Sequence, residues 1–404
     1  MSFASSRFLP GILGIVCAGA LAAACGSDAQ HKQARAVGGD GGQAGAAAPA
    51  MGGMQAAPLG GSGGEPLVQG GNAGQGTEAV SMGGAGESAG GASGAGGTPP
   101  SLPELPPVDC SSITFKDINL ENAVRTALDI GDVVISPAAA AKLSDLSAPD
   151  ANIADLSGIE CLVGLQSLDL SGSETPNAIA ELGPLSYLQS LKSLDLSGNP
   201  LSDLAPLVYL AQLRTLTLDN LSLPDLSPLA KLPPLDLLSI QNASLQVPAS
   251  VATLKNIRGL TAIGTIDDAA LISSLTQLGH LELGYLALSN ADALGSLGNL
   301  NYLNVLDMGL TSAAPFATLT ELSHLDLREN PITDVGPLKF LTGLGYLSLF
   351  ATAVTSVEPL TGNQGLSSGD TVDLSNTPLD CQTETANVKA LADGGVTVVG
   401  NPCP

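Results

Sequence analysis

Few side chains in this chain could carry acid–base or ligand chemistry, and their spacing keeps them apart. Histidine stands only at His31, His280 and His324. His280 and His324 fall two periods apart in the repeat described below. On a sheet that places them about 10 Å apart, too far to share one metal ion. Carboxylates recur in one row, Asp169, Asp195, Glu282, Asp326 and Asp373, interrupted by Thr217, Ser239, Thr261, Asn304 and Ser348. Paired carboxylates do general acid and base work only where burial splits their pKa values, and a row on an open sheet face offers no such burial. No Gly-Lys-Ser or Gly-Lys-Thr opens a helix, so no phosphate cradle exists. The expectation is a non-catalytic protein with no cofactor and no metal.

Contact chemistry is better represented. Beside the carboxylate row lie His280 and Gly284, Tyr302 and Leu306, His324 and Arg328, then Tyr346 and Phe350. Aromatic residues are only 3% of the chain and Trp is absent, so a cluster of them is not background. Aromatic rings and Arg are what anchor protein interfaces. The expected partner-binding set is therefore His280, Glu282, Tyr302, Asn304, His324, Asp326, Arg328, Tyr346 and Phe350. The competing reading is partial burial of these rings by neighbouring turns or by the C-terminal cap.

What positions them is a repeat. The pattern Leu-x-x-Leu-x-Leu returns about every 22 residues, clearest at Leu191-Lys-Ser-Leu194-Asp-Leu196 and Leu322-Ser-His-Leu325-Asp-Leu327. Its third apolar position falls at Ala148, Leu170, Leu196, Leu218, Ile240, Ala262, Leu283, Val305, Leu327, Leu349 and Leu374. A unit this short cannot bury its own apolar face, so successive turns must stack into a solenoid with one shared core. The Leu-x-Leu alternation marks a strand with two residues inward and the intervening one outward. The return segments Asp203-Leu-Ala-Pro206-Leu, Asp225-Leu-Ser-Pro228-Leu and Asp334-Val-Gly-Pro337-Leu predict short 3₁₀ or extended pieces rather than full helices, because proline fixes φ and donates no hydrogen bond.

Both ends need caps. Asp117 can cap a helix with Leu120, Val124 and Leu128 on one face, and Ser136-Pro137 starts a second, giving a helical cap over 108–150 before repeats at 151–380. In the C-terminal cap, 381–404, a helix around Asn387 to Ala392 precedes a short strand. Four cysteines, Cys110, Cys161, Cys381 and Cys403, allow three pairings. The array separates the end pairs, so Cys110 with Cys161 and Cys381 with Cys403 is the geometrically easy choice, against free buried thiols.

The helical cap, the 22-residue period and the x-Asp-Leu-x-Pro-Leu return make the region from Asp109 onward resemble the internalin-type bacterial leucine-rich-repeat proteins. That resemblance implies an α/β horseshoe whose parallel concave sheet binds protein. The family's Asn ladder stands here at Asn199 and Asn330. Ser173, Leu221, Ala243, Thr265, Leu286, Met308, Thr352 and Thr377 take the equivalent places, so the middle turns are expected to be less regular. The repeat between Leu170 and Leu196 is stretched, with a bulge expected at Pro176 to Pro184.

Before the cap the chain changes character. Arg7 followed by the apolar run Phe8 to Ala24 reads as a signal peptide over 1–24. Its end, Leu21-Ala-Ala-Ala24-Cys25, resembles a bacterial lipobox, which implies acylation of Cys25 and a place in the cell envelope, as an outer-membrane lipoprotein or at the cell surface. Residues 25–107, rich in Gly, Ala, Ser and Pro, form a disordered tether spanning on the order of 50 Å. From Val108 onward 32 acidic residues face 11 basic ones, a net −21 that repels nucleic acid. The expected partner is a protein, with a glycan as the other ligand class. Membrane contact is expected only through the lipid, and the state is monomeric. The alternative function is a structural envelope lipoprotein serving as spacer or scaffold.

Overall fold

The computed structural model of the protein describes residues 102–173, 176–400 and 403. The signal segment, Cys25 and the tether up to residue 101 lie outside the described residues. From Asp145–Ser147 to Thr397–Val399 the chain lays down one strand per turn, forming a parallel 12-stranded sheet whose strands follow in chain order. Each strand is short, because only the residues around the central leucine alternate. Leu194, for example, points inward while Ser193 and Asp195 face out. Every third-apolar position from Ala148 to Leu374 is buried. The core is thus a single column of aliphatic side chains, and Phe316 is the aromatic fully enclosed in it.

Most return segments are 3₁₀ turns, including Gly183–Tyr187, Ala205–Tyr209, Ser227–Lys231 and Gly336–Phe340, and Glu358–Thr361 is a single α-helical turn. The aspartate of each motif explains their start. Asp203, Asp225 and Asp334 accept the backbone N–H two residues on, from Ala205, Ser227 and Gly336, at 2.7 to 2.9 Å. That bond supplies a partner the short turn cannot give itself.

The N-terminal cap is the helix Ile118–Leu128, with Asp117 accepting from the amides of Asn119 and Leu120. The second oxygen of Asp117 accepts from Ala154 and Asp155 in the first turn, so one carboxylate both starts the helix and fastens it to the array. Burial opposes its charge, yet these backbone donors hold Asp117 below the ordinary carboxylate range. Pro137–Ala140 is a single turn capped by Ser136. At the far end the helix spans Cys381–Asp393, longer than the apolar spacing suggested, because Asp380 caps it well ahead of Asn387. Cys110 is bonded to Cys161, and Cys381 to Cys403.

Two expectations about the Asn positions change. In the stretched repeat the ladder residue is Asn177, not Ser173. Asn177 is buried, accepts from the amide of Ile153 at 2.8 Å, and donates to the carbonyls of Ala148 and Leu170. Asn199 and Asn330 do the same for the amides of Ile179 and Met308. The ladder place thus falls four residues beyond Ser173, and the segment expected to bulge instead buries Ile179 and Leu182. In the middle, Leu221 and Ala243 cannot bond backbone, and the turns compensate with a second small sheet, Ser222–Leu223 paired to Ser244–Leu245. Thr265 keeps the side-chain solution, accepting from the amide of Ala243 and donating to the carbonyl of Ile240.

Candidate functional site

Parallel strands in register bring equivalent residues of successive turns side by side. His280–Gly284, Tyr302–Leu306, His324–Asp326 and Tyr346–Ser348 are paired so that His280, Tyr302, His324 and Tyr346 form one column. Planar rings at that spacing must stack, and they do. The centroids of His280 and Tyr302 lie 4.2 Å apart, those of Tyr302 and His324 4.2 Å, and those of His324 and Tyr346 4.3 Å. The interplanar angles are 11°, 9° and 7°. Each stacked pair contributes about 0.5 to 1.5 kcal/mol beyond its area burial, so the column is a rigid ridge on the concave face. Its ring faces cover one another and its edges meet solvent.

The adjoining columns set its charge. Glu282 Oε1 lies 2.7 Å from His280 Nε2. Asp326, expected as a contact residue, is buried. Its carboxylate accepts from the backbone N–H of Arg328 and from both Nε and a terminal nitrogen of that guanidinium, so it acts through Arg328 and not by direct contact. Hydrogen bonding to Asp326 raises the Arg328 pKa further above its ordinary value. Burial lowers that of His324, and burial with the nearby Asp326 raises that of Tyr346. Phe350 is half-buried in the column of Arg328, and Asn304 turns a buried Oδ1 with no hydrogen-bond partner between Glu282 and Asp326.

The other half of the face departs from expectation. Burial raises the pKa of Asp195, helped by Asp169 and Asp219 and opposed by hydrogen bonds from Ser197, and burial likewise raises that of Asp219. An open sheet face thus desolvates carboxylates after all, because neighbouring rungs shield each side. Asp219 escaped the sequence reading because it stands one inward residue beyond the row that was followed. Tyr285 escaped it too, although its position, held elsewhere by Gly198, Asn220 and Asn242, gave the signal.

Among the described residues no group of three His, Cys, Asp or Glu side chains could hold a metal ion, and no helix is long and apolar enough to cross a membrane. A cavity lies away from the rings, where residues 102–108 pass Tyr187 and Tyr209 and the Tyr187 hydroxyl donates to the Pro106 carbonyl at 3.0 Å.

Comparison with known proteins agrees with this architecture. Residues 190–208 match the Leucine Rich Repeat family. The crystal structure of an internalin (inlF) from Listeria monocytogenes superposes with a TM-score of 0.53 at 22% identity, over 71% of this chain and 90% of that one. The fold is the leucine-rich repeat. Internalin C2 from the same organism is 27% identical over 62% of this chain and 100% of its own, with a TM-score of 0.44. A leucine-rich-repeat protein of Leptospira interrogans is 18% identical over 60% of this chain and 74% of its own, with a TM-score of 0.37. No curated protein matches the sequence. The leucine-rich-repeat domain accounts for the parallel sheet, the short returns and the capped ends together.

Proposed function

We propose that the protein is a surface-tethered, non-catalytic binding module that holds a protein partner on its concave face, and that acylated Cys25 anchors it in the cell envelope. The observation that carries the binding reading is the ring column His280–Tyr302–His324–Tyr346. Rigid aromatic edges flanked by Arg328 and Phe350 lose little side-chain entropy on association, which is the property of interface anchors. A sugar stacks its C–H face on an open ring face, and here the inner ring faces are taken by neighbouring rings. A protein is therefore favoured over a glycan. A spacer role would give no reason for spending scarce aromatics in one exposed column.

The test replaces Tyr346 and Phe350 by Ala together in the full chain. Both side chains are only half-buried, so the urea midpoint should move little, while capture of a cross-linked protein partner should fall at least tenfold. Unchanged capture by a folded variant refutes the ring face as the contact surface.

A further inference from the structure

The return side of the array carries aromatic residues of its own. The 3₁₀ turns Ile159–Cys161, Gly183–Tyr187 and Ala205–Tyr209 end at equivalent places, so Cys161, Tyr187 and Tyr209 follow one another from turn to turn. Two of the chain's five tyrosines stand in this line. Phe340 ends the turn Gly336–Phe340 at the same place and is 59% exposed, whereas Tyr187 and Tyr209 are half-buried. The difference is that residues 102–108 lie against the two tyrosines.

These residues read Leu102-Pro-Glu-Leu105-Pro-Pro-Val108. Leu102, Leu105 and Val108 recur every third residue, and so do Pro103 and Pro106. That is the period of a polyproline II helix, which has three residues per turn and no hydrogen bonds of its own. The segment is neither helix nor strand, so its carbonyls are free to accept. The Tyr187 hydroxyl donates to the Pro106 carbonyl at 3.0 Å. The cavity between them is lined by Leu102, Leu105 and Pro106 from the segment and by Tyr187, Gln189 and Tyr209 from the turns. Leu105 is half-buried there. Downstream, the Cys110–Cys161 disulfide ties the segment to the head of the same line. Because proline has its φ already fixed, such a strand gives up little backbone entropy when it docks.

We propose that Tyr187 and Tyr209 form a recognition shelf for a proline-rich strand, and that its occupant is the chain's own Leu102–Val108, docked as a strap. The aromatic rings and the Tyr187 hydroxyl supply what such a strand asks of a groove: flat apolar faces for its side chains and a donor for a carbonyl that its own backbone leaves unpaired. The strap brings the chain into the folded domain two turns beyond Cys161, on the side of the sheet opposite the ring column. While it is docked, the shelf is closed to proline-rich segments of other molecules. The inference does not depend on what the concave face binds.

The chain has no Trp, so Leu102→Trp in the full chain places a single fluorescent reporter in the strap. Docked, it should emit to the blue of a free indole and resist quenching by acrylamide. Tyr187→Phe removes only the hydroxyl, leaves the fold intact, and should lower the docked-to-free ratio by about two- to tenfold, the contribution of one hydrogen bond. Tyr187→Ala with Tyr209→Ala should quench the reporter as readily as a free peptide, while Phe340→Ala, at the equivalent uncovered place, should leave it unchanged. In a second measurement, a fluorescein-labelled peptide of residues 99–108 is followed by anisotropy. It should bind a chain carrying Pro103→Gly and Pro106→Gly about tenfold more tightly than the intact chain, because a weakened strap competes less for the shelf. A reporter quenched like a free peptide in the otherwise intact chain, or one unmoved by both tyrosine variants, overturns the strap. Equal peptide affinity for the two chains overturns the shelf as a proline-rich site.

Discussion

Asn177→Ala tests the account of the repeat most directly, because even spacing points to Ser173 and the structure points four residues on. Three buried backbone groups depend on Asn177: the Ile153 amide and the carbonyls of Ala148 and Leu170. Leu170 O keeps Asn199 as a second donor. That leaves one N–H and one carbonyl without a partner in an apolar interior. At about 1 to 3 kcal/mol for each stranded group, the variant should lose roughly 4 kcal/mol, with about 2 and 6 as bounds. Ser173→Ala removes only an exposed hydroxyl 3.4 Å from Asp150 and should cost under about 0.5 kcal/mol. Urea unfolding gives the global figure. A repeat array can unfold in parts, so exchange of the Ile153 amide gives a local one and should accelerate at least tenfold in Asn177→Ala alone. Equal costs at the two positions, or a loss below about 1 kcal/mol at Asn177, would show that the amide belt does not carry this turn.

Two further outcomes follow from the same reasoning. His324 should titrate below the ordinary histidine value of 6.5, because burial opposes its charge more than Asp326 and Glu282 favour it, with His280 and Arg328 adding repulsion. A depressed folded pKa means that the unfolded chain binds the proton first. The stability His324 contributes is whole above about pH 6.5 and falls as the pH drops through its folded value. NMR titration of the ring at or above the free value would contradict this, and His324→Phe should flatten the dependence. Separately, Cys25→Ala should abolish acylation and release the full chain from membranes in high salt. Retention on the membrane after that change rules out the lipid as the anchor.

The columns of the concave face were legible in the sequence because a parallel register maps a period of the chain onto a line in space. His280, Tyr302, His324 and Tyr346 could be aligned by counting. That they would stack, and so bury their faces instead of presenting them, depends on ring orientation, which counting does not report. Asp326 looked like a surface carboxylate by alternation, yet Arg328 two residues on folds over it. Asn177 was hidden by an insertion, since a fixed offset fails wherever a loop lengthens. The C-terminal helix was underestimated because its first turns, Gln382 to Ala386, are largely polar and show no apolar stripe. Its start was written in Asp380 instead. The perturbed pKa of Asp195 needed three rungs to be seen together.

One consequence of the two disulfides concerns where the molecule opens first. In a one-dimensional stack an end unit has a single neighbour, so thermal fraying ordinarily begins there. Here both ends are covalently stitched, Cys110 to Cys161 across the first cap and Cys381 to Cys403 across the last. Fraying is then expected to begin further inward, at the turns around Leu221 and Ala243, where no buried asparagine side chain joins the loop backbones. The rings lie on the far side of those turns, flanked by Asn330 and the C-terminal stitch. A partner gripping them would hold the part of the domain that melts last.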